Sequence, residues 1–263
     1  MFTIYKREMM SYVKTFLIWV ICVAGMGFGC ILLYSTMQAD MEEMAEGFAS
    51  MGAFADAFGM STLSIGTLTG FYATEVGTIH GLGGCMFAAI VSTVMLSKEE
   101  DGHTGEFLLS LPVSRGKVIW AKWLAVMSLV ILFNVISALV YAGGFGILHE
   151  EIPVREFLLF HSFQTILDLE VSAICFAISS FMKRNKLGVG LGMVLVLYAV
   201  DMIARVVPDI EKVRCISPFS YANAAELMSG EDIYGAGLAI GIPVLLACVV
   251  LAYVTYVRRD IAA

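Results

Sequence analysis

The residues best suited to bind a partner lie in one polar interval, from Lys98 to Lys122, with the sequence KEEDGHTGEFLLSLPVSRGKVIWAK. It is the longest interval between apolar segments that carries charges of both signs. Gly102 permits a sharp turn, and Thr104 is suited to cap a short helix with Glu106 near its positive end. The interval is where this chain would meet a soluble molecule.

We expect this short helix to end at Pro112, because the residue before a proline disfavours helical geometry. Phe107, Leu108 and Leu111 would form the apolar edge of this helix. Ser114 would cap the next helix. Two interpretations are open on these residues alone. The interval is either a helix held at the membrane surface, which moves two membrane helices together, or an ordinary loop with snorkelling charges.

Motifs for other chemistry are incomplete. The Gly116-Lys117 pair is followed by Val118, whereas a phosphate-binding loop requires Ser or Thr there. His149-Glu150-Glu151 lacks the second His of H-E-x-x-H. His80 and His161 are too isolated in the sequence to predict a metal site. We therefore predict no ATP binding by such a loop, no enzyme and no metal.

Composition indicates a membrane protein. Apolar residues make up 59% of the chain and charged residues 15%, against about 25% charged residues in soluble domains. Several apolar blocks are about 20 residues long, which is enough to cross a bilayer as helix. The net charge of −7 argues against a nucleic-acid partner.

The hydropathy pattern predicts an all-α integral membrane protein with six transmembrane helices. We place them at about residues 15–35, 76–97, 118–147, 157–182, 187–207 and 233–257. With both termini in the cytoplasm, twelve of the sixteen basic residues fall on the cytoplasmic side, as the positive-inside rule requires. The twelve are Lys6, Arg7, Lys14, Lys98, Arg115, Lys117, Lys122, Lys183, Arg184, Lys186, Arg258 and Arg259.

The remaining segments follow from this topology. Residues 36–75 contain acidic residues but no Lys or Arg, so they form an external loop that we expect to be partly helical. Residues 98–117 are cytoplasmic, and residues 208–232 are external. In residues 1–14 the apolar side chains recur every three or four positions, which predicts an amphipathic helix along the cytoplasmic surface. A frayed start of the first span is the alternative.

The run EEDGHTGEFLLSLPVSRGKVIWAKWLA resembles the signature loop of permease subunits of ABC-2 type transporters. The usual form has acidic residues, Gly-Thr, another acidic residue, a Leu-rich turn, Leu-Pro-Val-Ser-Arg and a later Lys. One departure is His103, which stands before Thr104 where the family commonly has Gly-Thr. The six spans, the long first external loop and the segment ISPFSYANAAELMSG also fit, so the resemblance extends over nearly the whole chain.

The resemblance implies an exporting permease that pairs with a second permease, identical or paralogous, and with two cytoplasmic ABC ATP-binding subunits. ATP and Mg would then be bound by the partner ATPase, and this chain would bind no cofactor. Residues 1–14 would form an elbow helix, and residues 208–232 would form a re-entrant element. The protein would be located in the bacterial plasma membrane. The ATPase-coupling residues would be Glu99, Glu100, Gly102, Thr104, Glu106, Phe107, Leu108, Leu111, Pro112, Ser114 and Arg115.

Charged residues within the spans allow two interpretations. Asp168 and Glu170 lie near the middle of the fourth span, where charges are costly. They either line the translocation path or pair within the bundle, and a path would also suit an ion-gradient-driven secondary transporter. Asp201 and Arg205 are spaced as a structural ion pair on one helix. Small residues that permit close helix contact, within the bundle or across a dimer, are Gly25, Gly29, Gly188 and Gly192.

Overall fold

The computed structural model describes residues 1–104, 113–230 and 234–258, and this part of the chain contains helices but no strands. Six helical segments are long and apolar enough to cross a membrane, which confirms the predicted all-α membrane fold. We name them spans 1 to 6 in chain order: Phe2–Ala49, Leu68–Thr93, Arg115–Leu148, Val154–Phe181, Leu187–Val206 and Gly235–Arg258.

Span 1 is one long helical segment. Helix Phe2–Trp19 continues through a π-helical turn, Val20–Ala24, into helix Gly25–Ala49. No break separates residues 1–14 from the span, because the chain contains neither Pro nor Gly before Gly25. A straight helix of 48 residues is about 72 Å long, more than twice the thickness of the hydrocarbon layer. The amphipathic residues are therefore continuous with span 1, and their placement along the cytoplasmic surface stays a prediction.

The segment predicted as an external loop, 36–75, is mostly helical. The first helix runs on to Ala49, and short helices follow at Ala53–Phe58 and Leu68–Phe71. A π-helical turn, Tyr72–Val76, then joins helix Gly77–Thr93. Span 2 therefore begins at residue 68 and not at residue 76. Its start is capped by the Thr67 hydroxyl, which accepts a hydrogen bond from the Gly70 amide at 3.1 Å.

Spans 2 and 4 form the centre of the bundle. In their most apolar windows, 67% and 61% of the residues are buried, compared with 44% in span 3. The corresponding fractions for spans 1, 5 and 6 are 22%, 22% and 17%, so these spans are peripheral. Phe87 of span 2, Phe133 of span 3 and Phe176 of span 4 are fully buried in the central core.

The connection between spans 5 and 6, which the sequence predicts to be external and which we call the outer connection, folds back onto the bundle. It contains 3₁₀ helices Pro208–Ile216 and Pro218–Tyr221 and the α-helix Ala224–Ser229. Asn223 caps the last helix, with its side-chain oxygen accepting from the amide of Ala225 at 2.9 Å. The Tyr221 hydroxyl donates to Glu170 of span 4 at 2.6 Å. The connection therefore reaches the middle of a central span.

Candidate functional site

The polar interval Lys98–Lys122, which we call the coupling interval, starts with a short helix and a tight turn. Helix Lys98–Asp101 ends there, and the amide of Thr104 donates to the carbonyl of Glu99 at 2.8 Å. The left-handed residue of this turn is His103, with φ 51°, whereas Gly102 has φ −88°. The sharp turn expected at Gly102 is thus made by the residue in which the sequence departs from the family pattern.

The rest of the interval is described only in part. Ser114 occupies the N-cap position of span 3, but its hydroxyl makes no capping hydrogen bond, contrary to the sequence prediction. Arg115 donates to the carbonyl of Val257 at 3.4 Å and so connects the start of span 3 to the end of span 6. Five of the predicted coupling residues lie outside the described residues: Glu106, Phe107, Leu108, Leu111 and Pro112.

Three charged residues of the coupling interval and two of span 1 form a group that we call the inner ion cluster: Lys98, Glu99, Lys122, Arg7 and Glu8. The Lys122 ammonium lies 2.6 Å from Glu99 Oε1 and 3.5 Å from Glu8 Oε1. Arg7 also contacts Glu99, at 3.1 Å, and Lys98 pairs with Glu8. The cluster joins span 1, helix Lys98–Asp101 and span 3.

Two members of the inner ion cluster, Glu8 and Lys122, are completely buried. Lys122 additionally donates to the carbonyl of Met95 at 2.7 Å, so its charge has three partners. Burial and the charge of Lys122 lower the pKa of Lys98, although Glu8 opposes this shift. Buried charges are tolerated only when they are paired in this way.

The sequence did not reveal this cluster, because the apolar periodicity of residues 1–14 leaves Glu8 on the polar face of the first helix. Ile4 and Glu8 lie one turn apart and are both buried, and Tyr5, Met9 and Tyr12 pack beside them. The available signal was Lys122, a basic residue within the apolar run VIWAKWLAV. Such a residue needs a buried partner.

Asp168 lies in the centre of the bundle and is fully buried. It accepts hydrogen bonds from Asn134 Nδ2 at 2.8 Å, Cys85 Sγ at 3.2 Å and Gln164 Nε2 at 3.4 Å. Gly84 leaves the necessary space, because a Cβ there would lie 2.6 Å from Asp168 Oδ2. These contacts favour a packing role over a pathway-lining role for Asp168.

Glu170 is 3% exposed and accepts the hydrogen bond from Tyr221 described above. A Cβ at Gly241 of span 6 would collide with the Glu170 carboxylate, so this glycine is required for close packing. Glu170 thus connects span 4 to span 6 and to the outer connection. Its assignment to a translocation path stays a hypothesis.

His80 and His161 are neighbours in the structure, although their sequence positions suggested isolated residues. Their ring centroids are 5.1 Å apart. His80 contacts Asn134 at 3.0 Å, and His161 contacts the Tyr72 hydroxyl at 2.9 Å. Within the described ranges, no group of three or more His, Cys, Asp or Glu side chains is placed to bind a metal.

The ion pair predicted within span 5 is part of a larger group that we call the outer ion cluster: Asp201, Arg205, Arg214 and Glu226. Asp201 pairs with Arg205 and lies 3.2 Å from Arg214 Nε. Arg214 also contacts Glu226 at 2.5 Å. Burial lowers the pKa of Arg214, but the charges of Glu226 and Asp201 outweigh it and raise that pKa. The cluster holds the outer connection against span 5.

The glycines predicted for helix contact make no close approach within the chain. These glycines are Gly25, Gly29, Gly188 and Gly192. A Cβ added at any of the four positions would meet no described atom within 4 Å. Among the described residues these glycines therefore make no contact inside the bundle, and their role in contacts across a dimer stays a prediction. Each leaves open space on spans 1 and 5, two of the peripheral helices.

The comparison with protein families agrees with this architecture. A family model described as ABC-2 family transporter protein matches residues 2–261. Among curated proteins, none matches the chain. With six membrane-crossing helices and a match over nearly its full length, the chain belongs to the ABC-2 transporter family, as a multi-pass membrane permease that is not itself catalytic.

Proposed function

We propose that this chain is the transmembrane subunit of an ATP-driven exporter. Two such permeases, identical or paralogous, would form the translocation path, and two cytoplasmic ATP-binding subunits would supply the energy. ATP and Mg would be bound by those subunits, since the sequence of this chain lacks a phosphate-binding loop. Residues 98–117 would dock on the ATPase.

The observation that carries this proposal is the inner ion cluster. It joins Glu8 of span 1, Glu99 of the coupling interval and Lys122 of span 3 through contacts of 2.6 and 3.5 Å. A force on the interval would therefore act on three helical segments at once. Strong buried charge pairs resist separation, so the three segments would move together rather than bend independently.

The proposed cycle follows from these connections. ATP binding would draw the ATPases together and displace residues 98–117, and spans 2 and 3 would carry the shift outward. Span 4 packs against these spans and contacts the outer connection through Glu170 and Tyr221. This contact would relay the shift to the outer end of the path. Export is the direction that this family resemblance favours.

The proposal is tested by purifying a tagged copy from its native membranes in mild detergent. We expect an ATP-binding subunit to be recovered in stoichiometric amount, with ATPase activity in the eluate. Glu106→Lys should lower both, because it reverses a charge in the docking interval. Glu43→Lys is the matched control, since Glu43 is an exposed acidic residue far from that interval.

Recovery of this chain alone, without ATPase activity even after gentle crosslinking, would contradict the proposal. It would favour the ion-gradient-driven alternative, in which Asp168 and Glu170 bind the coupling ion. That alternative has less support in the structure, since both carboxylates are already bonded to neighbouring side chains.

A further inference from the structure

Span 2 carries a single acidic or basic residue other than histidine, Glu75. The sequence places this residue in the predicted external loop 36–75, but the structure places it seven residues inside the helical segment that begins at Leu68. Seven residues of helix correspond to about 10 Å. The Glu75 side chain is exposed, and it makes no hydrogen bond or ion pair with a described residue.

Neighbouring helices show that Glu75 lies at the depth of the hydrocarbon layer. A Cβ at Gly27 of span 1 would lie 2.9 Å from the side chain of Val76, the next residue, and 2.6 Å from the ring of Tyr141. Gly27 is near the middle of the apolar run 15–35, and Tyr141 is seven residues before the end of span 3. A charge at this depth is costly unless it faces a partner or a water-filled path.

The fold fixes the direction of this carboxylate. Glu75 belongs to the π-helical turn Tyr72–Val76, in which the four other residues are buried. Rotating the turn to hide Glu75 would expose Tyr72 and Val76, which are completely buried in the apolar core. π-Helical turns are rare and often occur at functional sites. The exposure of Glu75 is therefore built into span 2.

The surface around Glu75 is apolar. Phe71 lies about one turn before it and Ile79 about one turn after it, and both side chains are partly exposed. Leu82 and Met86, also partly exposed, continue this face toward the inner end of the span. We call these five residues the span 2 stripe. It offers one negative charge with an apolar surface on both sides.

This part of the chain contains nothing that could neutralise Glu75. Residues 15–97 include six acidic residues and no Lys or Arg. They therefore offer no counter-charge, and the same residues of an identical copy would offer none. The charge complement of this surface is a cation from another molecule.

We propose that the span 2 stripe binds a cationic amphipathic molecule, and that such molecules are the transported substrates. The positive group would pair with Glu75, and Phe71, Ile79 and Leu82 would contact the apolar part. The proposal rests on the proposed function, because a path between two permeases would give a charge in span 2 access to water. An anion of the same shape would be repelled by Glu75.

The test measures binding of radiolabelled tetraphenylphosphonium, an apolar cation, to the purified chain in nanodiscs of uncharged lipid. We expect saturable binding above that of empty nanodiscs. Glu75→Gln should weaken it about tenfold, because it removes the only charge of the stripe. Glu75→Asp, which keeps the charge, should restore most of the affinity. Glu46→Gln is the matched control, since Glu46 is an exposed acidic residue on the outward extension of span 1.

Cys30 allows a second measurement on the unmodified chain. It is partly exposed on span 1 and lies within electrostatic reach of Glu75. Tetraphenylphosphonium at about four times its dissociation constant should slow alkylation of Cys30 about fivefold, because about a fifth of the sites stay free. Cys22, an exposed cysteine about two turns nearer the inner end of span 1, should react at an unchanged rate. This measurement decides the question if Glu75→Gln does not fold.

Failure of this proposal can be told apart from failure of the proposed function. The binding measurement contains neither ATP nor an ATP-binding subunit. Absence of cation binding would leave ATP coupling intact. Purification of the chain without an ATPase would remove the transport role but would not alter the measured affinity.

Three results would overturn the inference. Equal affinity of Glu75→Gln and the unmodified chain would show that the carboxylate does not hold the cation. Equally strong binding of tetraphenylborate, an anion of the same shape, would contradict selection by charge. Disulfide formation between two copies of an Ile79→Cys variant, with loss of phosphonium binding, would show that a second copy covers the stripe.

Discussion

Lys122 is the residue on which the inner end of the bundle depends most directly. Its ammonium is completely buried and lies between two carboxylates, Glu8 and Glu99, from different parts of the chain. Three basic and two acidic side chains share this site, since Arg7 and Lys98 are also members. Each acidic charge therefore contacts more than one basic charge.

We expect Lys122→Met to destabilise the protein by about 3–5 kcal/mol, because it removes the nearest cation of Glu99 and one of the cations that contact the buried Glu8. Lys117→Met should have little effect, since Lys117 is exposed at the same end of span 3. Thermal unfolding in detergent measures both. Adding Glu8→Gln to Lys122→Met should recover part of the loss. Strictly additive effects of the two substitutions would contradict a direct interaction.

Asp168 and Glu170 are expected to differ in their tolerance of amide replacement. Three donors converge on Asp168, from Asn134, Cys85 and Gln164. Asp168→Asn would keep one acceptor oxygen but place an amide donor against the donor or donors on the other side, and each unsatisfied buried donor costs about 1–3 kcal/mol. Glu170→Gln should be nearly neutral, because an amide oxygen can still accept from Tyr221. Equal unfolding midpoints for the two variants would contradict this interpretation.

The residue-level contacts differ in how far the sequence predicts them. Asp201 and Arg205 are one helical turn apart, so their pairing follows from local spacing. Glu8 and Lys122 are distant in the sequence and meet only through helix packing. The donors to Asp168 include Cys85 of span 2 and Asn134 of span 3. Periodicity identified Asp168 as unusual but did not identify these partners.

At the level of elements, spans 3 to 6 begin and end within three residues of the predicted positions. Their apolar blocks are bounded by charged or turn-forming residues, so hydropathy alone defines them. Span 1 runs to Ala49 rather than residue 35. Its extension, DMEEMAEGFA, is polar but contains mainly good helix formers, and a helix need not end where the membrane does.

The outer connection is held by the outer ion cluster, which makes it sensitive to Asp201. Asp201→Ala would leave Arg205 and Arg214 without a shared carboxylate. We expect trypsin to cleave after the exposed Lys212 about tenfold faster in this variant, corresponding to about 1.4 kcal/mol of easier local opening. Asp209→Ala is the control, since Asp209 is exposed in the same connection. An unchanged cleavage rate in Asp201→Ala would show that other contacts hold this segment.

At the level of the whole molecule, the bundle has a buried centre and an apolar periphery. In their most apolar 18-residue windows, spans 2 and 4 are mostly buried, whereas in spans 1 and 5 only 22% of the residues are buried. Lipid alone can cover such helices, so exposure does not identify a contact surface. Gly25, Gly29, Gly188 and Gly192 indicate where a contact surface could lie, because a second helix can approach closely only where side chains are small.

We expect two copies of the chain to associate through span 5, near Gly188 and Gly192. The double substitution Gly188→Ile with Gly192→Ile should abolish co-purification of differently tagged copies from mild detergent, because the added side chains prevent close helix contact. It should leave the unfolding midpoint of the protomer nearly unchanged, since neither added Cβ would meet a described atom within 4 Å. Gly143→Ile on span 3 is the matched control, because its surroundings are equally open. Undiminished co-purification of the double variant would place the contact elsewhere, whereas no co-purification of unmodified copies would favour a paralogous partner.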